Sequence, residues 1–330
     1  MKAYSLLDLA PVNQGASIAS AFENSRRMAV EAEKQGYKRI WLAEHHGMSA
    51  VASSATAIAI SHIANATQHI RVGSGGIMLP NHAPLVIAEQ FGTLEALYPG
   101  RIEIGLGRAP GSDMATAKAL RRDLHSAVDD YPQSIRELQA FLGPQSSEQG
   151  IIAVPGQNTQ LPLWLLGSSL YSAQLAAQLG LPYSFAAHFA PEQLHDALSI
   201  YRHHFRPSAQ SSEPYASVGL MVVVADTDAQ AEYLFTSVQQ QFVNLRRGTN
   251  RAFPAPVDSM AGIWSEPEQW MVNQTLRYAL VGSPATVTVK LADFLASTAV
   301  DEVIVSMPIF DIEARLNSLA LFADCMAKVG

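Results

Sequence analysis

The 330-residue chain holds one cysteine, Cys325, so no internal disulfide framework can form. Charge is scarce at 15% of residues, and 22 Lys and Arg are outnumbered by 29 Asp and Glu, for a net charge of −7. The cations are scattered rather than gathered into a stripe, which argues against nucleic acid as a partner. Gly, Pro or a charged residue breaks every apolar run before it reaches the roughly 20 residues that span a bilayer, so no membrane span is expected. Met1 to Asp8 lacks the basic flank and apolar stretch of a signal peptide, and the expected location is the cytoplasm. Three catalytic or nucleotide-binding signatures are missing as well. Gly105 and Gly107 run into Pro110 where the dinucleotide fingerprint G-x-G-x-x-G needs glycine. There is no H-E-x-x-H, and Gly167-Ser168-Ser169 does not fit the nucleophile elbow G-x-S-x-G. An open dinucleotide-binding sheet, a zinc hydrolase and a serine hydrolase are all disfavoured.

What is present is apolar sequence, 48% of the chain, in a repeating arrangement. Eight short β-branched or apolar runs lie near residues 3 to 8, 39 to 43, 70 to 77, 101 to 106, 162 to 166, 182 to 186, 217 to 224 and 302 to 306. Several, such as Met221 to Val224, do not alternate, as expected of parallel strands covered on both faces. Helical periodicity fills the gaps at 17 to 35, 53 to 66, 84 to 97, 128 to 142, 170 to 179, 191 to 205 and 228 to 245. Ile312, Leu316 and Leu319 give a closing helix its apolar face. Eight βα units predict an α/β fold of the (β/α)8 TIM-barrel type, with residues 1–330 forming a single domain. Two intervals exceed ordinary βα loops: 107 to 127 after strand four, and 246 to 283 between strands seven and eight. Long insertions of this kind usually serve as lids or binding loops.

Active sites of such barrels form at the C-terminal strand ends. Four of these ends are chemically unusual: Glu44-His45-His46, the run Arg71 to Pro84 (R-V-G-S-G-G-I-M-L-P-N-H-A-P), the run Pro99 to Arg108 (P-G-R-I-E-I-G-L-G-R) and the run Leu161 to Ser169 (L-P-L-W-L-L-G-S-S). Together with A-A-Q-L-G-L-P from Ala176 to Pro182, these motifs resemble, in order and over nearly the whole chain, the bacterial-luciferase-like flavin monooxygenases of the single-chain, non-luminous type. The resemblance implies a TIM barrel using reduced FMN as cosubstrate. It further implies O2 as oxidant through a C4a-peroxyflavin, a small organic substrate, a separate flavin reductase and a homodimer. The helix at 53 to 66 is rich in small residues, from Ala52 through Ala64, and could pack closely against its copy.

The resemblance places His45 beside the reactive edge of the flavin as acid or base, a task for which an imidazole with a pKa near 6.5 is suited. Adjacent side chains on a strand end point apart, so His45 and His46 do not hold one metal together, and no metal is expected. Glu44 either orients His45 or lies on the surface. Gly75 and Gly76 permit either a close backbone approach or, as the resemblance implies, a non-proline cis peptide behind the isoalloxazine ring. Ser168 and Ser169 precede a helix whose first N–H groups are free, and with Ser172 and Arg108 they can converge on a phosphate. Ordinary capping by the serines is the alternative. His82 and His188 could line the mouth, His203 and His204 read as a solvated face, and Cys325 reads as inert. Two rival readings remain at this stage: an F420-dependent oxidoreductase on the same barrel, and a flavin-binding protein without turnover.

Overall fold

In a computed structural model, which describes residues 2–108, 114–120, 130–145 and 150–329, strands and helices alternate from the N-terminus. The first half runs β1 (Ala3–Asp8), α1 (Ile18–Lys34), β2 (Arg39–Leu42), α2 (Thr56–Ala66), β3 (Arg71–Met78), α3 (Pro84–Leu97), β4 (Ile102–Gly107), α4 (Met114–Ala119) and α5 (Tyr131–Leu142). The second runs β5 (Leu163–Gly167), α6 (Leu170–Leu179), β6 (Tyr183–Phe185), α7 (Leu194–His204), β7 (Ala216–Val224), α8 (Asp228–Arg246), α9 (Glu266–Thr275), β8 (Leu280–Gly282), α10 (Pro284–Thr298), β9 (Glu302–Ser306) and α11 (Ile312–Val329).

The strands β1 to β7 pair in sequence, all parallel, and β9 closes the ring between β7 and β1. The result is an eight-stranded barrel ringed by helices, as expected from the eight apolar runs. β8 is a ninth strand outside the ring, three residues long, paired only to the end of β7. Its shortness, and the polar α9 before it, explain why the interval 246 to 283 reads as one loop. Of the interval 107 to 127, residues 109–113 and 121–129 lie outside the described residues, and α4 occupies part of the remainder. α2 begins at Thr56 rather than at residue 53, because the Ser53 hydroxyl donates to the Ala43 carbonyl at 2.6 Å and holds that stretch to the end of β2.

Period-two alternation sorts the strand side chains into two populations. Outward residues such as Leu6, Ile40, Val72, Ile104 and Val303 meet the helices in one large buried cluster. Inward residues form a much smaller one, with Leu7, Trp41, Trp164 and Ile304 at its centre. Helix packing follows the same logic: α1 buries Ala21, Ser25, Met28, Ala29 and Ala32 at helical spacing, and Ser17 caps it by accepting from the Ser20 N–H at 3.1 Å. α6 stops at Gly180, whose φ of +62° and proximity to the Arg206 carbonyl leave no room for a side chain.

Below the apolar centre, at the N-terminal strand ends, the barrel interior is ionic. Arg39 reaches Glu103 at 2.8 and 2.7 Å and lies 2.9 Å from Glu302, and all three side chains are at most 2% exposed. Trp41 Nε1 donates to Glu103, Tyr215 and Ser5 donate to Glu302, and the Arg39 guanidinium stacks on Trp164 at 4.5 Å. This plug seals one end.

Candidate active site

The other end is open. A cavity of about 750 Å³ sits over the C-terminal strand ends, within the range occupied by small-molecule sites. His45, Gly75, Gly76, Arg108, Ser168, Ser169 and Ser172 all line it, although they come from β2, β3, β4, β5 and the start of α6.

Its floor is formed by β3. The Gly75–Gly76 peptide is cis, and the pairing of β3 with β4 shifts register between Gly75 and Ile77, where the Ser74 hydroxyl donates to the Gly105 carbonyl and accepts from its N–H. Close approach also holds: a Cβ on Gly75 would sit 2.7 Å from Leu7 and 2.8 Å from Trp41, and one on Gly76 would sit 2.6 Å from Leu166. The cis bond and the close backbone approach thus occur at the same two glycines.

At one side of the cavity, the N-terminus of α6 points its free N–H groups outward. Ser169 occupies the N-cap position, yet its hydroxyl makes no capping bond, so capping does not consume it. The Ser172 hydroxyl is already engaged, donating to the Ser169 carbonyl at 2.8 Å and lying 3.1 Å from the Tyr183 hydroxyl. Ser172 therefore braces the turn on which Ser168 and Ser169 stand. Arg108 lies over the Tyr171 ring at 4.1 Å from its centroid. Tyr131, at the first turn of α5, is 3% exposed, and its hydroxyl has no hydrogen-bond partner among the described residues. Burial raises its pKa well above the ordinary tyrosine value, and it stays protonated as a donor.

On the E-H-H turn the two histidines separate as the strand geometry requires. His45 faces the cavity, whereas His46 Nε2 lies 2.8 Å from Glu44. Glu44 is fully buried, which corrects the surface alternative, and its carboxylate serves His46, His82 at 3.0 Å, Asn81 and the Met78 N–H. Burial raises its pKa, but the bonds from His82, His46 and Met78 outweigh that and hold it below the usual value. His82 thus belongs to this knot rather than to the mouth. His188 does line the cavity, with Nδ1 packed against the Gly219 backbone. Burial pushes its pKa down to about 4, the Gly219 backbone opposes the shift, and neighbouring His45 adds to it. His203 and His204, exposed at the end of α7, bond back to Ser199 and Ile200, and Cys325 is buried, with its pKa raised by burial.

A sequence profile of the luciferase-like monooxygenases matches residues 5–302. The chain belongs to that family. A luciferase-like monooxygenase of Escherichia coli K12 is 52% identical over 98% of this chain and 96% of its own. The crystal structure of apo-MsnO8 superposes with a TM-score of 0.88 at 33% identity, covering 99% of each chain. The same barrel, at identities that speak for fold alone, occurs in two more distant proteins. One is the oxygenating constituent of 3,6-diketocamphane monooxygenase of Pseudomonas putida, solved with FMN (TM-score 0.73, 17% identity, 98% and 96% coverage). The other is an F420-dependent secondary alcohol dehydrogenase (TM-score 0.72, 13% identity, 100% and 99% coverage). As a member of its family, the chain is an oxygenase or oxidoreductase of the flavin-dependent class.

Proposed function

We propose that the chain is an FMNH2-using monooxygenase that oxidises a small organic substrate with O2. The observation that carries this reading is one cavity combining an anion site with an acid–base group: Arg108, Ser168, Ser169 and the α6 N-terminus on one side, His45 on another. The residues fit the cofactor. The α6 N–H groups, Ser169 and Arg108 would hold its phosphate. Gly75 and Gly76 leave a flat floor on which the ring would lie, and the unpaired Tyr131 hydroxyl adds a donor. Bound FMNH2 supplies the reducing electrons and activates oxygen. The protein's part is to exclude water with the apolar walls of Leu9, Met48, Val51 and Phe253, and to move a proton at the His45 imidazole. Reduced flavin would come from a separate reductase. The assembly would be a homodimer built on α2, where Ala59, Ile60, Ile63 and Ala64 face the barrel and Ile58 is 74% exposed.

Two titrations test this reading. Arg108→Ala should weaken FMN by about 10- to 100-fold, the scale of a charge-assisted contact, and leave riboflavin, which has no phosphate, unchanged. Equal losses would remove Arg108 from the phosphate site. Anaerobic protein loaded with FMNH2 should then consume O2 and yield oxygenated product. Hydride transfer with F420 and no need for O2 would replace the FMN reading.

A further inference from the structure

The cavity wall that faces the anion site carries a buried arginine of its own. Round the ring the junction of β9 with β1 lies four strands from the junction of β4 with β5 in either direction, so it stands directly across the barrel from Arg108 and Ser169. Arg315, in the first turn of α11, lines the cavity there and is 3% exposed. The rest of this wall, Leu9, Pro11, Ile304 and Pro308, is apolar.

Two of the three guanidinium nitrogens are fixed by the fold. Nε donates to the Met307 carbonyl at 2.6 Å, which ties it to the end of β9, and Nη2 donates to Asp8 Oδ1 at 2.8 Å, which ties it to the end of β1. Asp8 is fully buried and is itself held by the Ala10 N–H at 3.1 Å. Nη1 makes no bond among the described residues, and it is not one of the unpartnered atoms that the protein encloses, so it is left facing the cavity. A purely structural pair would use the fork on both carboxylate oxygens, yet Asp8 Oδ2 is unpartnered as well. The arginine is therefore held rigid from one side, with its charge balanced by Asp8, and offers a donor on the other. A balanced pair does not attract a second anion; it suits an uncharged oxygen.

We infer, building on the flavin reading, that Arg315 Nη1 is the donor to the C4 carbonyl of the flavin ring. In an isoalloxazine the ribityl arm leaves N10, and N5 with the adjacent C4 carbonyl lies on the opposite side of the ring system. A flavin anchored by its phosphate at the β4–β5 wall, with its ring on the Gly75–Gly76 floor, turns that edge toward the β9–β1 wall. Arg315 then fixes the ring from the end remote from the phosphate. It also favours the reduced ring, whose carbonyl oxygen is the more electron-rich acceptor.

The test varies the flavin first, because that needs no variant to fold. The parent should bind 4-thio-FMN, whose acceptor is sulfur, about tenfold more weakly than 2-thio-FMN, which has the same bulk and keeps the C4 oxygen. In Arg315→Lys, which retains a cation for Asp8 but not the planar fork, that gap should close. The same variant should weaken FMN, riboflavin and lumiflavin by a common factor of about ten, since the lost bond is to the ring that all three share. Reduced FMN should lose about tenfold more than oxidised FMN, which lowers the two-electron potential of the bound flavin by about 30 mV. Equal binding of the two thioflavins by the parent overturns the proposal. So does a loss in Arg315→Lys confined to FMN, or a bound-flavin potential that stays at the parental value while the melting temperature falls, which is the mark of a structural pair. A parent that binds none of these flavins refutes the flavin reading itself, and this assignment with it.

Discussion

The two ends of the barrel differ in which of their polar groups are left without partners. At the closed end, Arg39, Glu103, Glu302, Trp41, Ser5 and Tyr215 are buried or nearly so and bonded to one another. At the open end, Tyr131 Oη and Gln241 Oε1 are buried without partners among the described residues, beside the bonded Glu44 knot and the Asp8–Arg315 pair. Buried polar groups in folded proteins are almost always satisfied, so an unsatisfied one that lines the cavity is where a ligand contact would be sought first.

The sharpest way to break this comparison lies within the E-H-H turn, where neighbours fall on opposite sides of it. His45→Ala should lose about 10²- to 10⁴-fold in rate, the usual contribution of a general acid or base, with thermal melting close to the parent. His46→Ala takes a donor from buried Glu44 and should instead cost about 1–3 kcal/mol of stability, with rate per folded molecule nearly unchanged. Both are read from oxygen-dependent product formation beside melting curves. Parental rates in both variants would reassign the whole turn to the fold.

The closed end should respond only in stability. Arg39→Met leaves Glu103 and Glu302 buried without their shared cation, an arrangement that typically costs about 3–5 kcal/mol. Denaturant unfolding measures the loss, and FMN affinity of the remaining folded protein should match the parent. A loss under 1 kcal/mol would mean that Tyr215, Trp41 and Ser5, with Lys38 at 3.9 Å from Glu302 and Arg71 at 3.7 Å from Glu103, satisfy the carboxylates without Arg39.

Much of this division was legible in the sequence, because it rests on local pattern. The eight barrel strands show as apolar runs, and His45, Arg108 and Ser169 stand where those runs end, so the strand-end rule finds them. Contacts between distant residues leave no such trace. Glu44 meets His82 across 38 positions, and Arg39 meets Glu103 across 64, with nothing in either segment naming the other. Gln241 falls in the helix expected at 228 to 245 with no motif to mark it, since periodicity shows that residues share a face and not what the face meets. Tyr131 carries no signal either: its significance is a hydroxyl left unpaired by folding.

The last predicted effect concerns His188, where a largely buried imidazole lining the open end should leave a mark on stability. Its imidazole is packed against Gly219, and burial pushes its pKa down to about 4, against about 6.5 in an unfolded chain. Between those two values the unfolded chain binds a proton that the folded protein refuses. Stability should therefore be flat in this group above pH 6.5 and fall as the pH drops from about 6.5 toward 4, by at most about 1.4 kcal/mol per pH unit. The partial exposure of the ring makes the slope smaller than that limit. Glu44, whose pKa is lowered, adds its own loss of stability on acidification, so a single acid curve cannot isolate the histidine. A difference can. His188→Gln keeps a polar side chain without the titration, and its unfolding free energy should gain on that of the parent as the pH falls through this window. Parallel curves for the two proteins would show that His188 is solvated and freely protonated in the folded state.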